Sequence, residues 1–324
     1  MTYLSLNGIP FEELDEVKSN GFYFYLDGLG GWKLNKNDFS YEIEKLIIDI
    51  NRMFERKIFA NKEELYAVKM ACHEFLWTTG LDSESLLDKE NFERLIRILD
   101  EKDFPTNKVL YMFDCQNLVS SIHQCNIQVL QMVSEFYKTL NLEKLTTPEF
   151  RENDGLRCIS SPIALKLHSF LNFIFIRLHS ILDYITKLAL ELENIKTDFS
   201  KYPKLYSKNI LYAQKNKIKL KGITNTLFYK DILINKIESI RNKIIHNGVL
   251  DTNLKVYELI EGEKCIEKFI LFPDFNEQGY LISFVNRDLF YSKENKINLQ
   301  LVEIILQFQE ILKNTLECIN DNIN

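Results

Sequence analysis

The sequence predicts a mainly α protein: a helical bundle with a small β insertion at about residues 254–286, preceded by a mostly helical domain that carries a short β-hairpin. Three observations lead there. Apolar residues recur at three- and four-residue spacing in Ile43, Leu46, Ile47, Ile50, Met53 and Phe54, in Phe92, Leu95, Ile96 and Leu99, and in Leu233, Ile237, Ile240 and Ile244, the period of helices with one buried face. Alternation with a period of two is confined to short runs between turn residues. The chain has 324 residues and 46% hydrophobic content, more than one core usually holds, which favours two domains.

Residues 21–34 read as an aromatic strand, a glycine turn and a return strand. The glycines lack the Gly-Lys-Ser/Thr ending of a phosphate loop. Helical periodicity then runs from Phe39 to Leu142, with one extended helix over Phe113–Leu142. The turn-rich passage from Leu145 to Pro162 marks a domain boundary, giving 1–155 and 156–324. Pro162 stands just inside the next helix, capped by Ser160 or Ser161 and reaching Leu192. After a Lys-rich connection, a helix over about Asn225–His246 ends at Asn247-Gly248, a C-cap signal. Leu254–Ile260, Phe269–Phe272 and Tyr280–Val285 alternate as short strands, and Asn298–Ile319 closes the chain as an amphipathic helix.

The opening residues run into Glu12, Glu13, Asp15 and Glu16 rather than a basic flank and apolar core, so a cytoplasmic protein is expected. Phe170–Tyr184 is interrupted by Asn172, Arg177, His179 and Asp183, and no membrane anchor is expected. The six cysteines are scattered, which suits reduced thiols, and Cys115, His123 and Cys125 lack metal-ligand spacing. Neither metal nor cofactor is expected.

The charge is unevenly distributed. Residues 201–247 hold 11 Lys and Arg against 2 Asp and Glu, whereas the whole chain holds 40 against 46. Lys215, Lys217, Lys219 and Lys221 suit contacts to nucleic-acid phosphates. A solvated Lys-rich loop is the plainer reading.

That basic run leads into Arg241-Asn242-Lys243-Ile244-Ile245-His246-Asn247-Gly248. An Arg followed by His after four to six residues is expected about 0.4 times by chance in a chain of this composition, so the spacing carries little without its setting. The setting here is the end of a periodic helix, with Asn directly after the Arg and Asn-Gly after the His. The octapeptide resembles the Arg-x4–6-His signature of the HEPN superfamily, small all-α domains that include metal-independent ribonucleases of toxin–antitoxin, CRISPR-linked and abortive-infection systems. The helix Arg177–Ala189 is similar to the one packed beside that signature. The likeness covers about residues 160–320, and the β insertion departs from the minimal bundle.

The resemblance implies an endoribonuclease with Arg241, His246 and Asn242 as its catalytic residues, leaving 2′,3′-cyclic phosphate ends. It further implies that the RNA is single-stranded or tRNA-like and that the protein acts as a toxic effector in antiviral defence or a toxin–antitoxin pair, with an antitoxin or a trigger protein as a partner. Asp183 and Lys243 are candidates for a supporting role. The residue chemistry agrees: His moves protons near neutral pH, and the forked, permanently charged Arg suits phosphate. Five positions on a regular helix separate Arg241 and His246 by about 140°, so both meet one phosphate only if the helix ends at His246. In-line cleavage benefits from a base and an acid on opposite sides of phosphorus, yet each chain offers one motif His, so a homodimer is expected.

Plainer readings accompany each residue. Arg241 pairs with Glu238 and His246 caps its own helix, Asp183 is solvated or paired with Lys187, and His179 is a core histidine. A non-catalytic module of the same kind, binding RNA, nucleotide or a protein partner, is the alternative function. Pro273-Asp274 with Glu294 and Lys296 offers the residue types of a metal-dependent nuclease, but in a polar connector rather than on a buried strand.

Overall fold

The computed structural model describes residues 1–14, 21–36, 38–72, 75–146, 154–229 and 231–323. Asp15, Glu16, His73 and residues 147–153 of the turn-rich passage lie outside the described residues. The described chain is mainly α, with two small antiparallel sheets of three strands each. It divides into two compact units of interleaved sequence: 1–41, 125–180 and 225–313 form the first, and 42–124, 181–224 and 314–324 the second.

In the second unit, helix α1 (Ser40–Ile58) buries Ile43, Ile47, Ile50, Met53 and Phe54, the stripe its spacing predicts. Helix α2 (Lys62–Ala71) opens on Asn61, whose Oδ1 accepts the Glu64 N–H at 2.7 Å. A short turn, α3 (Phe75–Thr78), leads to α4 (Lys89–Asp100), capped in the same way by Asp88. The first part of α5 (Thr106–Leu142) and the last part of α6 (Pro162–Glu193) complete the packing.

The Lys-rich connection in this unit is irregular apart from one 3-10 turn, Tyr212–Lys217. Three carboxylates of α6 hold it by its backbone. Ser207 N–H donates to Glu191 Oε2 at 2.8 Å, Tyr212 N–H to Asp183 Oδ1 at 2.8 Å, and Lys219 N–H to Glu193 Oε1 at 2.8 Å. Glu191 is fully buried and also accepts the Tyr111 hydroxyl at 2.7 Å, which satisfies a charge that would otherwise be costly inside.

In the first unit, strands β1 (Tyr3–Ser5), β2 (Tyr23–Leu26) and β3 (Trp32–Leu34) pair in order, so the expected hairpin gains a third strand. The second sheet is β4 (Gly155–Ile159), β5 (Val256–Glu261) and β6 (Lys264–Phe269). Its hairpin turns at Gly262 and Glu263, both left-handed with φ of 56° and 61°, as a two-residue turn matched to strand twist requires. The predicted strands differ here. β4 arises from the passage read as a boundary, because Leu156–Ile159 has a partner only when β5 arrives. Phe269–Phe272 is the end of β6 plus a single bridge from Leu271 to Lys296, and Tyr280–Val285 makes only isolated bridges. There Asn276 Oδ1 accepts the N–H groups of Gln278 and Tyr280 at 3.1 and 3.0 Å and winds the chain into a loop.

Asn298, at the start of α8 (Ile297–Ile323), is fully buried and joins these pieces. Its Nδ2 donates to Leu6 O at 2.7 Å, its Oδ1 accepts from Ile270 N at 3.1 Å, and its backbone carbonyl accepts the Tyr137 hydroxyl at 2.5 Å. Gly8 follows at a φ of 78°, where a Cβ would stand 2.8 Å from that of Lys268, so the first turn closes onto β6 only with glycine. Asn298→Ala leaves the buried N–H of Ile270 and the part-buried carbonyl of Leu6 without their partner. It should lower the unfolding free energy by roughly 2–4 kcal/mol, measured by urea denaturation; a drop under about 0.5 kcal/mol, the level of an ordinary surface change, would contradict this role.

Candidate functional site

Helix α7 (Ile232–Asn247) carries the site. It starts later than the periodicity suggests because Asp231 caps it, accepting the Leu233 N–H at 2.7 Å, while Asn225 has turned left-handed with a φ of 60°. It ends as its sequence predicts, on Gly248 with φ 82° and ψ −26°. Leu233, Ile237, Ile240 and Ile244 are buried along one stripe.

That stripe orients everything else. With 100° per residue, Arg241 and Lys243 flank the buried line on opposite sides, and Asn242 and His246 face away from it. Accordingly Arg241 and Lys243 are partly covered, whereas Asn242, Ile245, His246 and Asn247 are exposed. The helix does not turn at His246; it continues through Asn247, so the ring is not swung back toward Arg241. The guanidinium moves instead: Arg241 Nη1 donates to Asn242 Oδ1 at 3.0 Å. Asn242 and His246 are four residues apart, so they sit one turn apart on the same open face. Arg241 thereby reaches the edge of the face that carries His246. The His246 ring has no hydrogen-bond or ion-pair partner among the described residues, which leaves both nitrogens free for proton transfer.

The flanking loop holds the helix in place. Asn235 Nδ2 donates to Gln278 O at 2.8 Å, and the Lys236 ammonium lies 5.5 Å from the Phe275 ring centre. Gly279, at a φ of 87°, passes so close that a Cβ would meet Ile232 O at 2.4 Å. Further along, Lys243 Nζ pairs with Asp288 Oδ1 at 2.5 Å. Lys243 is thus a structural cation, tied to the loop, rather than a free phosphate ligand. Asp288, Gln278 and Gly279 carry no signal in the sequence that joins them to α7; the Asn276-Glu-Gln-Gly279 turn marks a loop but not its destination. Between Phe284 and Arg287 the same loop reverses through Val285 and Asn286, with φ of 47° and 62°. A β-branched residue there is a strained choice.

Other expected residues divide between the units. Asp183 belongs to the second unit, where its carboxylate anchors Tyr212. Lys215 is engaged locally, donating to the Tyr212 hydroxyl at 2.5 Å with its ammonium 4.0 Å from that ring's centre. Lys217, Lys219 and Lys221 are exposed and have no ion-pair partner among the described residues. Arg177 packs 5.0 Å from the Phe173 ring centre, and His179 is buried. Asp274 accepts from Ser292 Oγ at 2.8 Å and from Asn295 Nδ2 at 3.2 Å, and Lys296 pairs with Glu267 at 2.7 Å; among the described residues no three His, Cys, Asp or Glu side chains group so as to hold a metal ion. Among the described residues no helix is long and apolar enough to cross a membrane. No protein-family model, no curated protein and no solved structure matches the chain.

Proposed function

We propose that the protein is a metal-independent endoribonuclease of the HEPN type, a toxic effector of antiviral defence or of a toxin–antitoxin pair, acting from the open face of α7. The observation that carries this is the grouping of Asn242 and His246, which has no partner among the described residues, on the open face of one helix end, with Arg241 reaching that face from its flank. In the proposed reaction His246 takes the proton of a 2′-hydroxyl or delivers one to the leaving 5′-oxygen. Arg241, oriented by Asn242, stabilises the charge that grows on the phosphoryl oxygens. Attack by the 2′-oxygen on phosphorus expels the 5′-oxygen and leaves a 2′,3′-cyclic phosphate. The exposed Lys217, Lys219 and Lys221 supply sequence-independent attraction to the RNA backbone.

His246→Ala should lower the cleavage rate on single-stranded RNA by roughly 10²–10⁴ without loss of fold, while EDTA leaves the wild type active and all-DNA substrate is spared. Equal activity of the variant would sink the catalytic role. RNA binding without cleavage by the wild type would instead favour the non-catalytic module.

Replacing Lys217, Lys219 and Lys221 together with Gln should flatten the salt dependence of RNA binding, by about 0.7 in the log–log slope for each single-strand phosphate no longer neutralised. Lys215→Gln should change it less, since that ammonium is engaged with Tyr212. An unchanged slope in the triple variant would mark the run as a solvated loop.

In-line cleavage benefits from a base and an acid on opposite sides of phosphorus, yet each chain offers one motif His on this face, so a two-fold pair of α7 helices supplies the second. Titrating wild type with excess His246→Ala chains tests this by activity per wild-type chain. A shared site makes that activity fall as mixed dimers form. Constant activity in a protein shown to exchange subunits, or to be monomeric, would exclude it.

A further inference from the structure

Beyond the α7 face, the sheet β4–β5–β6 bounds a cavity of about 670 Å³ within the first unit. Val256, Glu258 and Ile260 of β5 point inward and are buried, with Glu258 paired to Arg157. The alternate residues Tyr257 and Leu259, with Leu156 of β4 across the register, form the cavity's apolar wall. The volume lies within the range of small-ligand sites, and the segments Asp251–Lys255 and Tyr291–Lys296 face the sheet across it.

The charges lining it are unequally committed. Tyr291 donates its hydroxyl to Asp251 Oδ2 at 3.0 Å, and Lys296 pairs with Glu267 at 2.7 Å while lying 4.2 Å from the Phe269 ring centre. The His168 Nε2 meets Lys255 O at 3.1 Å, and burial lowers its pKa, so it brings no charge near neutral pH. Lys255 and Lys293 remain, lining the cavity with no ion-pair partner among the described residues. An apolar, aromatic wall beside two free ammonium groups suits a ligand that joins a planar ring to an anion. The other Asp251 oxygen, Oδ1, accepts the Asn253 N–H at 2.8 Å, and its remaining lone pair suits a ring's exocyclic amine, a donor that a lipid carboxylate lacks. We propose that this cavity binds a nucleotide, its base against Tyr257 and Leu259 and its phosphate on Lys255 and Lys293. The wall at Asp251 begins three residues after the Gly248 cap of α7, so a bound nucleotide bears directly on the segment that leaves the candidate site.

The test is fluorescence anisotropy of AMP and UMP carrying an N-methylanthraniloyl group, on the full chain bearing His246→Ala so that RNA competitors survive. Saturable binding below about 1 mM is expected. Unlabelled AMP should compete at least about tenfold better than adenosine or inorganic phosphate, because ring and anion are read together. A single-stranded RNA hexamer separates the sources: competition by the hexamer but not by AMP places the nucleotide within a strand, and the reverse makes it a free ligand. In either case Lys255→Glu with Lys293→Glu should weaken binding at least about tenfold, and Tyr257→Ser should weaken it with an unchanged far-UV spectrum. If the charge reversal unfolds the protein, Lys255→Gln with Lys293→Gln serves in its place. No saturable binding of AMP, UMP or the hexamer, or binding that the folded lysine variants leave unchanged, overturns the proposal.

Discussion

The buried amide of Asn298 is the point on which the first unit depends. A single side chain of this kind satisfies the Ile270 N–H leaving β6 and the Leu6 carbonyl leaving β1, while its own backbone receives the Tyr137 hydroxyl from α5. Each of those groups is buried or partly buried, and each unmade bond would cost the desolvation of its polar atom. Four segments that are remote in sequence are thereby held at fixed positions. Gly8 adds a steric condition at the same place, since nothing larger than hydrogen fits against Lys268 there. The sheet behind the nucleotide cavity takes its position from this joint, because β6 enters it directly.

The α7 helix shows how burial decides the geometry of an exposed site. Its apolar stripe is narrow, so the residues between stripe positions divide into a flank on each side and one open face. Lys243 falls on a flank and is consumed by Asp288; Arg241 falls on the other and reaches over to Asn242. Asn242 and His246 fall on the open face because they are one turn apart. No energetic preference for catalysis is needed to produce this grouping. It follows from where Ile237, Ile240 and Ile244 must go.

The basic segment owes its character to the acids beside it. Glu191, Asp183 and Glu193 each accept a backbone N–H of residues 207–219 rather than pairing with a lysine ammonium there. A protein with a net charge of −6 thus holds a local excess of basic residues, 11 Lys and Arg against 2 Asp and Glu over 201–247. An acidic chain and the proposed phosphate-attracting role of that run are compatible because local field, not net charge, governs an encounter at distances near a Debye length.

The sequence alone determined where most helices lie and several of their ends, since those signals are local: the apolar period of α1 and α7, Ser161 and Pro162 at the start of α6, and Asn247-Gly248 at the end of α7, though not where α5 and α7 begin. The octapeptide Arg241–Gly248 was legible for the same reason. Local pattern did not determine β4, whose residues become a strand only when Val256–Glu261 lies beside them, nor the loop over Phe275–Asp288, whose course is set by its packing against α7. It also left open which lysines are free. Lys217, Lys219 and Lys221 differ from Lys215 and Lys243 only in the partner that folding places next to each ammonium. Likewise Tyr257, Lys255 and Lys293 carry no common motif; they share a cavity because a strand, a cap-to-strand connection and a loop converge. Dihedral preference and side-chain period act over a few residues, whereas pairing, burial and charge compensation depend on neighbours that the chain meets only once folded.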